Sequence, residues 1–229
     1  MIFITKPRHE LKFFINVADY FAIKNRIKHI ASLDLNAGVS GTYHIRSLYF
    51  DNFNDKALLE KVNGYSKREK FRIRYYNDNF DFIRLEKKSK INGLCTKFSA
   101  PLTKEQCEKI LNNDIEWMLN SDKSLIQELY FKIKSQMLKP KTLVDYTREA
   151  YIYKPGNVRI TIDSNVRSGI CSRDMFNTNL PTIKIPANDT IILEVKFDEF
   201  LPDIIKDVIQ TNTRKATSIS KYANSRMFG

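Results

Sequence analysis

Arg72 and Arg74 stand two residues apart in Lys70-Phe71-Arg72-Ile73-Arg74-Tyr75. Side chains alternate faces along a strand with period two, so these guanidiniums share one face, about 7 Å apart. Phe71, Ile73 and Tyr75 share the other face. Two guanidiniums so placed can each fork onto phosphate oxygens. The pattern recurs in Arg8-His9-Glu10-Leu11-Lys12, Arg84-Leu85-Glu86-Lys87-Lys88, Arg159-Ile160-Thr161-Ile162-Asp163 and Leu193-Glu194-Val195-Lys196-Phe197. Glu86 pairs with Lys88 on one face, and Glu194 with Lys196. Ordinary amphipathic strands turn scattered, mixed charges to water. If these Arg- and Lys-rich faces turn inward in a closed barrel, they line a cationic tunnel with a few carboxylates. That is a site for a polyphosphate-like anion and a divalent metal.

Glu194 lies within Ile191-Ile192-Leu193-Glu194-Val195-Lys196-Phe197. An acid among such apolar neighbours is costly unless it is paired or metal-bound. Mg²⁺ and Mn²⁺ prefer oxygen ligands, so Glu194 reads either as a metal ligand or as the partner of a tunnel Arg or Lys. Glu86 and Glu10 are weaker ligand candidates. Arg148 and Arg159 suit the cationic face. Asp163 reads as a cap, a support for a ligand or a surface residue. Lys221, alone in the tail, reads as solvated on its own evidence, and the tyrosines and phenylalanines read mostly as core.

The elements that must hold these residues are legible from patterning. Strands are expected near 8–15, 43–51, 67–76, 80–90, 96–100, 142–153, 158–163 and 190–197. Asn77-Asp78-Asn79 is a hairpin connection and Asn92-Gly93 a turn, as is 38–41. Phe21, Ile23, Ile27 and Ile30 give residues 19–32 a helical stripe, and 55–62 forms a short helix. Thr103 followed by Gln106 is a capping box opening a helix to Leu111. Leu125, Leu129, Ile133 and Met137 mark one face of a helix over 124–137, stopped by Lys139-Pro140. Pro202 opens another helix to Gln210. Residues 177–189 read as a loop with one short strand, and 218–222 as helix or loop. No repeat or linker interrupts the chain. The expected fold is α+β: one domain over 1–229, an antiparallel β-barrel with flanking helices.

The 229 residues carry a net charge of +12 and 42% hydrophobic residues, so a packed core and an anionic partner are both expected. Three cysteines without a CxxC pair argue against a disulfide framework or zinc site, and three histidines lack metal-ligand spacing. Met1 to Pro7 is too short for a signal h-region, and no apolar run approaches the ~20 residues that span a bilayer. A cytosolic protein is expected, able to face a membrane through a partner. The sequence holds no GxxxxGK[ST] or GxGxxG loop and no Ser/His/Asp or Cys/His constellation. Phosphoryl chemistry would therefore rest on positioning, charge and metal. Charges that alternate within strands, instead of clustering on an arm or helix, argue against nucleic acid.

The ordered segments Arg8–Phe13, Ile45–Asn52, Lys70–Tyr75, Leu85–Lys88, Asp145–Tyr151, Arg159–Asp163, Leu193–Phe197 and Ser220-Lys221-Tyr222 resemble the VTC domain. This is the catalytic domain of vacuolar transporter chaperone polyphosphate polymerases, within the triphosphate tunnel metalloenzyme superfamily. The resemblance spans nearly the whole chain. It implies a basic tunnel in which Lys12, Arg72, Arg74, Lys88, Arg159 and Lys221 are phosphate ligands. Glu10, Arg148 and Lys196 would be further substrate contacts. Glu194 would be the metal-binding glutamate, and Glu86 stays the further metal candidate from the strand pattern. The implied activity moves the γ-phosphate of ATP onto a growing polyphosphate end, with Mn²⁺ or Mg²⁺ as cofactor. One departure is informative. Tunnel hydrolases carry ExExK on the first strand, and here Arg8 occupies the first acid position. A carboxylate-poor tunnel fits a polymerase or polyphosphate binder better than a triphosphatase.

Overall fold

A computed structural model describes residues 3–4, 6–38, 40–185, 191–211 and 214–226. Among these, eleven strands form one antiparallel sheet: β1 (Phe3–Ile4), β2 (His9–Ile15), β3 (Ser32–Leu33), β4 (Thr42–Asp51), β5 (Lys67–Tyr76), β6 (Asn79–Ile91), β7 (Leu94–Leu102), β8 (Lys139–Tyr153), β9 (Val158–Ser168), β10 (Ile183–Lys184) and β11 (Ile191–Phe197). The helices are α1 (Val17–Ile27), α2 (Lys56–Val62), α3 (Lys104–Leu111), α4 (Ser124–Gln136), α5 (Asp203–Ile209) and α6 (Lys221–Arg226).

The main path of the sheet runs β1-β7-β6-β5-β4-β8-β9-β11-β2. Its ends meet at Arg8, just ahead of β2. Arg8 exchanges backbone hydrogen bonds of 3.1 and 3.3 Å with Cys95 of β7. This isolated bridge draws the two ends of the open path toward each other and gives the sheet a barrel-like form. The β5–β6 hairpin turns at Asn77 and Asp78, both with positive φ (49° and 52°), as a tight turn matched to strand twist requires.

The alternation seen in the sequence sorts the strands into two faces, and the apolar face points outward. Phe71, Ile73 and Tyr75 of β5 and Leu85 of β6 pack with Cys107 and Ile110 of α3 and Leu125, Ile126 and Leu129 of α4. On the other side, Ile160, Ile162, Leu193 and Val195 pack with Ile23 and Ile27 of α1 and Ile205 of α5. Each such side chain, fully buried, contributes about 1.5–3 kcal/mol. With helices covering the outer wall, the charged faces are left to the interior. Thr103 caps α3 through the reciprocal bonds its spacing predicts, and Asn16 caps α1 with Asp19 in the same way.

Two expected core positions are corrected. Phe21 is 58% exposed, because the buried stripe of α1 is Ile23 and Ile27 alone. Met137 is 61% exposed: it adopts a left-handed conformation that ends α4, so it leaves the face of Leu125 and Leu129. Lys139-Pro140 opens β8 directly. The loop read over 177–189 contains β10, and its residues 186–189 lie outside the described residues. Among the described residues, no helix is long and apolar enough to cross a membrane.

Candidate functional site in the barrel interior

The inward faces enclose a cavity of about 780 Å³ lined by twelve Lys and Arg and three Glu. All eleven residues singled out in the sequence line it: Glu10, Lys12, Arg72, Arg74, Glu86, Lys88, Arg148, Arg159, Glu194, Lys196 and Lys221. Strand register explains the convergence. Across β5 and β6, Arg74 faces Arg84, Arg72 faces Glu86, Lys70 faces Lys88 and Arg68 faces Lys90. Across β2 and β11, Lys12 faces Glu194 and Glu10 faces Lys196, which in turn faces Arg159 of β9.

Arg72 and Arg74 are held by fixed partners. Arg72 donates to Glu86 (2.8 Å) and to the Tyr49 hydroxyl (2.9 Å). Arg74 donates to Ser47 (3.0 Å) and to the Tyr146 hydroxyl (2.7 Å). Such bonds fix the orientation of both forks. Behind the wall, fully buried Asp163 accepts two bonds from Arg148 (2.6 and 2.7 Å) and one from Lys221 (2.5 Å). Of the roles the sequence left open for Asp163, the structure shows a support for cationic wall residues. Lys221 is no free tail lysine, since its ammonium also sits 4.6 Å from the Tyr146 ring centre.

The three glutamates fall into two groups. Glu86 is paired with Arg72 and Lys97, both at 2.6 Å, and more loosely with Arg74 at 3.7 Å. Glu10 and Glu194 instead share two lysines. Lys12 lies 3.9 Å from Glu10 and 3.1 Å from Glu194, and Lys196 lies 3.9 and 3.4 Å from the same pair. Lys88 completes the set at 2.6 Å from Glu10. Burial alone would push the Glu10 carboxyl up, but Lys88, Lys196 and Lys12 hold it at about 2. Glu194, buried and facing Lys12, Lys196, Lys88 and Arg148, is held well below the usual carboxylate range.

The crowding of like charges shows on the lysines. Burial, with Lys88, Lys12 and Arg72 nearby, brings the Lys70 ammonium down to about 7 against the opposing pull of Tyr49. Burial brings Lys196 down to about 8 despite Glu194 and Glu10. Tyr49 responds in the other sense. Burial opposes its ionisation, yet Arg72, Lys70 and Arg74 together bring its phenol down to about 7.

Several wall residues carried no assignment from the sequence. Lys70 shares the face of Arg72 by period two, so its signal was present within the quoted motif. Lys97 faces Lys88 across β6 and β7, a placement that only register reveals. Tyr43, Tyr49, Tyr76 and Tyr146 line the cavity, although the tyrosines read mostly as core.

The VTC domain profile matches residues 7–228, which span all of the strands that wall this basic interior. The chain belongs to the VTC domain family. Among solved structures, a Hippeastrum protein described as a candidate adenylyl cyclase, HpAC1, with a dominant triphosphatase activity shares the fold. Its TM-score is 0.53 at 12% identity, over 96% of this chain and 96% of that one. Two likenesses are looser. A candidate adenylate cyclase of Bacillus halodurans has a TM-score of 0.45 at 15% identity, over 82% of this chain and 79% of its own. PH1819 of Pyrococcus horikoshii OT3 has a TM-score of 0.41 at 14% identity, over 88% and 84%. No curated protein matches the VTC chain.

Proposed function

We propose that this VTC-family chain is an ATP-dependent polyphosphate polymerase, with one catalytic domain across residues 1–229. The observation that carries the reading is the imbalance of the cavity wall, twelve cations against three glutamates. Such a wall suits a ligand with many negative charges better than one small anion and a set of metals. The ordered cations along β5 and β6 suit a linear ligand, because rungs two residues apart rise about 7 Å.

In this reading Arg72, Arg74, Lys12, Lys88, Arg159 and Lys221 hold phosphate oxygens, and Arg148 and Lys196 extend the set. The terminal oxygen of a polyphosphate chain attacks the γ-phosphorus of ATP. A new P–O bond forms, the bond to the β–γ bridging oxygen breaks, and ADP leaves with that electron pair. The attacking phosphate oxygen is already ionised, so no general base is required. The wall aligns acceptor and donor in line and offsets charge on the transferred group.

Glu194 and Glu10 would hold a divalent cation. Their carboxylates share Lys12 and Lys196, and Thr161, opposite Glu194 on β9, keeps a buried hydroxyl with no hydrogen-bond partner among the described residues. Two carboxylates suit Mg²⁺ or Mn²⁺, which take one or two of them together with phosphate oxygens, provided the ion displaces Lys12, Lys88 and Lys196 from Glu10 and Glu194. Glu86, held by Arg72 and Lys97, and Glu10, held by Lys88, would each exchange a cationic partner for the ion. When bound, such an ion would offset charge on the bridging and leaving oxygens.

A hydrolytic reading on the same fold draws on Lys70, which burial brings down to about 7, so that a share of its amine is unprotonated at pH 7 and able to accept a proton from water. The products separate the two. Purified protein is incubated with ATP and Mn²⁺, with and without a short polyphosphate primer. A polyphosphate ladder with ADP supports the polymerase. Orthophosphate without a ladder overturns it in favour of hydrolysis, and binding without ATP loss leaves a polyphosphate-binding module.

A further inference from the structure

Of the six cations read as phosphate contacts, five stand on strands: Lys12 on β2, Arg72 and Arg74 on β5, Lys88 on β6 and Arg159 on β9. Ladder hydrogen bonds fix those positions. Lys221 is the exception. It opens α6, a helix of six residues, which is too short to hold its place by itself. Yet its ammonium reaches the barrel interior, where it donates to Asp163 at 2.5 Å and lines the cavity beside Ser220. Contacts from outside the helix must therefore set that reach.

Asp51 supplies such a contact. It ends β4 and is buried. One of its oxygens accepts from the amides of Asn52 and Ala57, both at 2.9 Å. The other accepts from the Leu58 amide (3.1 Å) and from the Tyr222 hydroxyl (2.6 Å). A single carboxylate thus ties the first turn of α2 to the residue that follows Lys221. Hydrogen bonds to an ionised acceptor are the strong class. Burial and the Asp51 carboxylate hold the Tyr222 phenol well above its ordinary range, so the hydroxyl keeps its proton for this bond. The buried Tyr222 ring lies 5.2 Å from that of Tyr49, whose own hydroxyl accepts from Arg72. At the far end of α6, Arg226 donates to Asp55 at 3.0 Å, just ahead of α2.

We propose that Asp51 is a positioning residue for phosphate binding: through the Tyr222 hydroxyl it sets the Lys221 ammonium in the wall of the cavity. The proposal rests on the reading of Lys221 as a phosphate contact. Neighbouring residues of a helix point about 100° apart, so fixing Tyr222 fixes the direction of Lys221. Without the bond, α6 keeps its apolar packing on Tyr49, but its rotation is no longer set and the ammonium loses its aim.

The test is a double-mutant cycle on tripolyphosphate affinity, measured by calorimetry with the wild type, Tyr222→Phe, Lys221→Met and the double variant. Tyr222→Phe keeps the buried ring and removes only the hydroxyl. Lys221→Met should weaken binding about 10- to 150-fold, the range for one charged contact. Tyr222→Phe should weaken it about 2- to 150-fold, the range of coupling between neighbours, and should cause no further loss once Lys221 is gone. Asp51→Asn reads the same bond from its other end and should show the same dependence on Lys221. A hydroxyl that serves only the fold would cost the same factor with or without Lys221. That result overturns the proposal, as does unchanged affinity in Tyr222→Phe. Wild-type affinity in Lys221→Met overturns the reading of Lys221 itself, and a wild type that binds no tripolyphosphate overturns the tunnel reading.

Discussion

Arg72 and Glu86 face each other across the β5–β6 ladder, and their side chains meet inside the barrel at 2.6 Å. The carboxylate offsets the charge of a half-buried guanidinium that lies among Lys70, Arg74 and Lys88. In the proposed function, an incoming phosphate must share or replace that carboxylate. Affinity for the anion is thus the difference between two charge-assisted contacts.

Arg72→Ala and Arg74→Ala should each weaken tripolyphosphate binding by about 10- to 150-fold, the range for one hydrogen-bonded charged contact. Arg72→Lys should recover only part of the loss, because an ammonium cannot bridge two oxygens as a planar fork does. Calorimetric titration checks both. Full affinity in Arg74→Ala would remove that residue from the anion site.

Glu194→Gln keeps the shape of the side chain and removes its charge. Divalent-dependent turnover should fall at least about 10-fold. Far-UV circular dichroism should be unchanged. Mn²⁺ binding, read by electron paramagnetic resonance, should weaken in parallel. Turnover equal to wild type would remove Glu194 from the metal site.

Asp163→Asn should destabilise the fold by about 3–5 kcal/mol, since it leaves Arg148 and Lys221 buried without their shared carboxylate. Urea unfolding measures this. The same carboxyl sets an acid limit. Burial alone would raise it, but Arg148 and Lys221 hold Asp163 at about 2, below its ordinary 3.8. Its contribution is therefore complete above pH 4 and is lost as pH falls toward 2. The wild type should lose stability over that window, and Asp163→Asn should show a shallower loss.

Anion binding should weaken as pH rises through 7 to 9. Lys70, at about 7, and Lys196, at about 8, lose their charge across this range. A bound polyanion favours the charged amines, so binding at pH 8 should take up protons, seen as a dependence of the calorimetric enthalpy on buffer. Lys70→Met should reduce that uptake. The folded-state value of Lys70 lies below its ordinary 10.5, so its burial costs stability most below pH 7 and less as pH rises toward 10. Lys70→Met should flatten that part of the stability profile.

Much of the site was legible because β-strands impose a strict parity. Arg72 with Arg74, Glu86 with Lys88, and Glu194 with Lys196 had to share faces, and all six line the cavity. The capping box at Thr103 and the strand limits of β5 followed from equally local rules. Phe21 and Met137 misled because a helical stripe assumes an unbroken helix with one buried side. Met137 ends its helix in a left-handed turn, and the covered side of α1 is narrower than the stripe.

Alternation by itself states only that two faces differ, and it is silent about which one is inside. The sequence alone determined which residues stand together. The tertiary structure decided that the charged face is the interior, because α1, α3, α4 and α5 cover the apolar face from outside and the Arg8–Cys95 bridge brings the sheet edges together. It also decided the pairings. Register places Arg72 on Glu86 and Lys12 on Glu194, and puts Lys97 and Tyr49 against the same arginine–glutamate pair. Those contacts join residues far apart in the chain, and no local spacing encodes them.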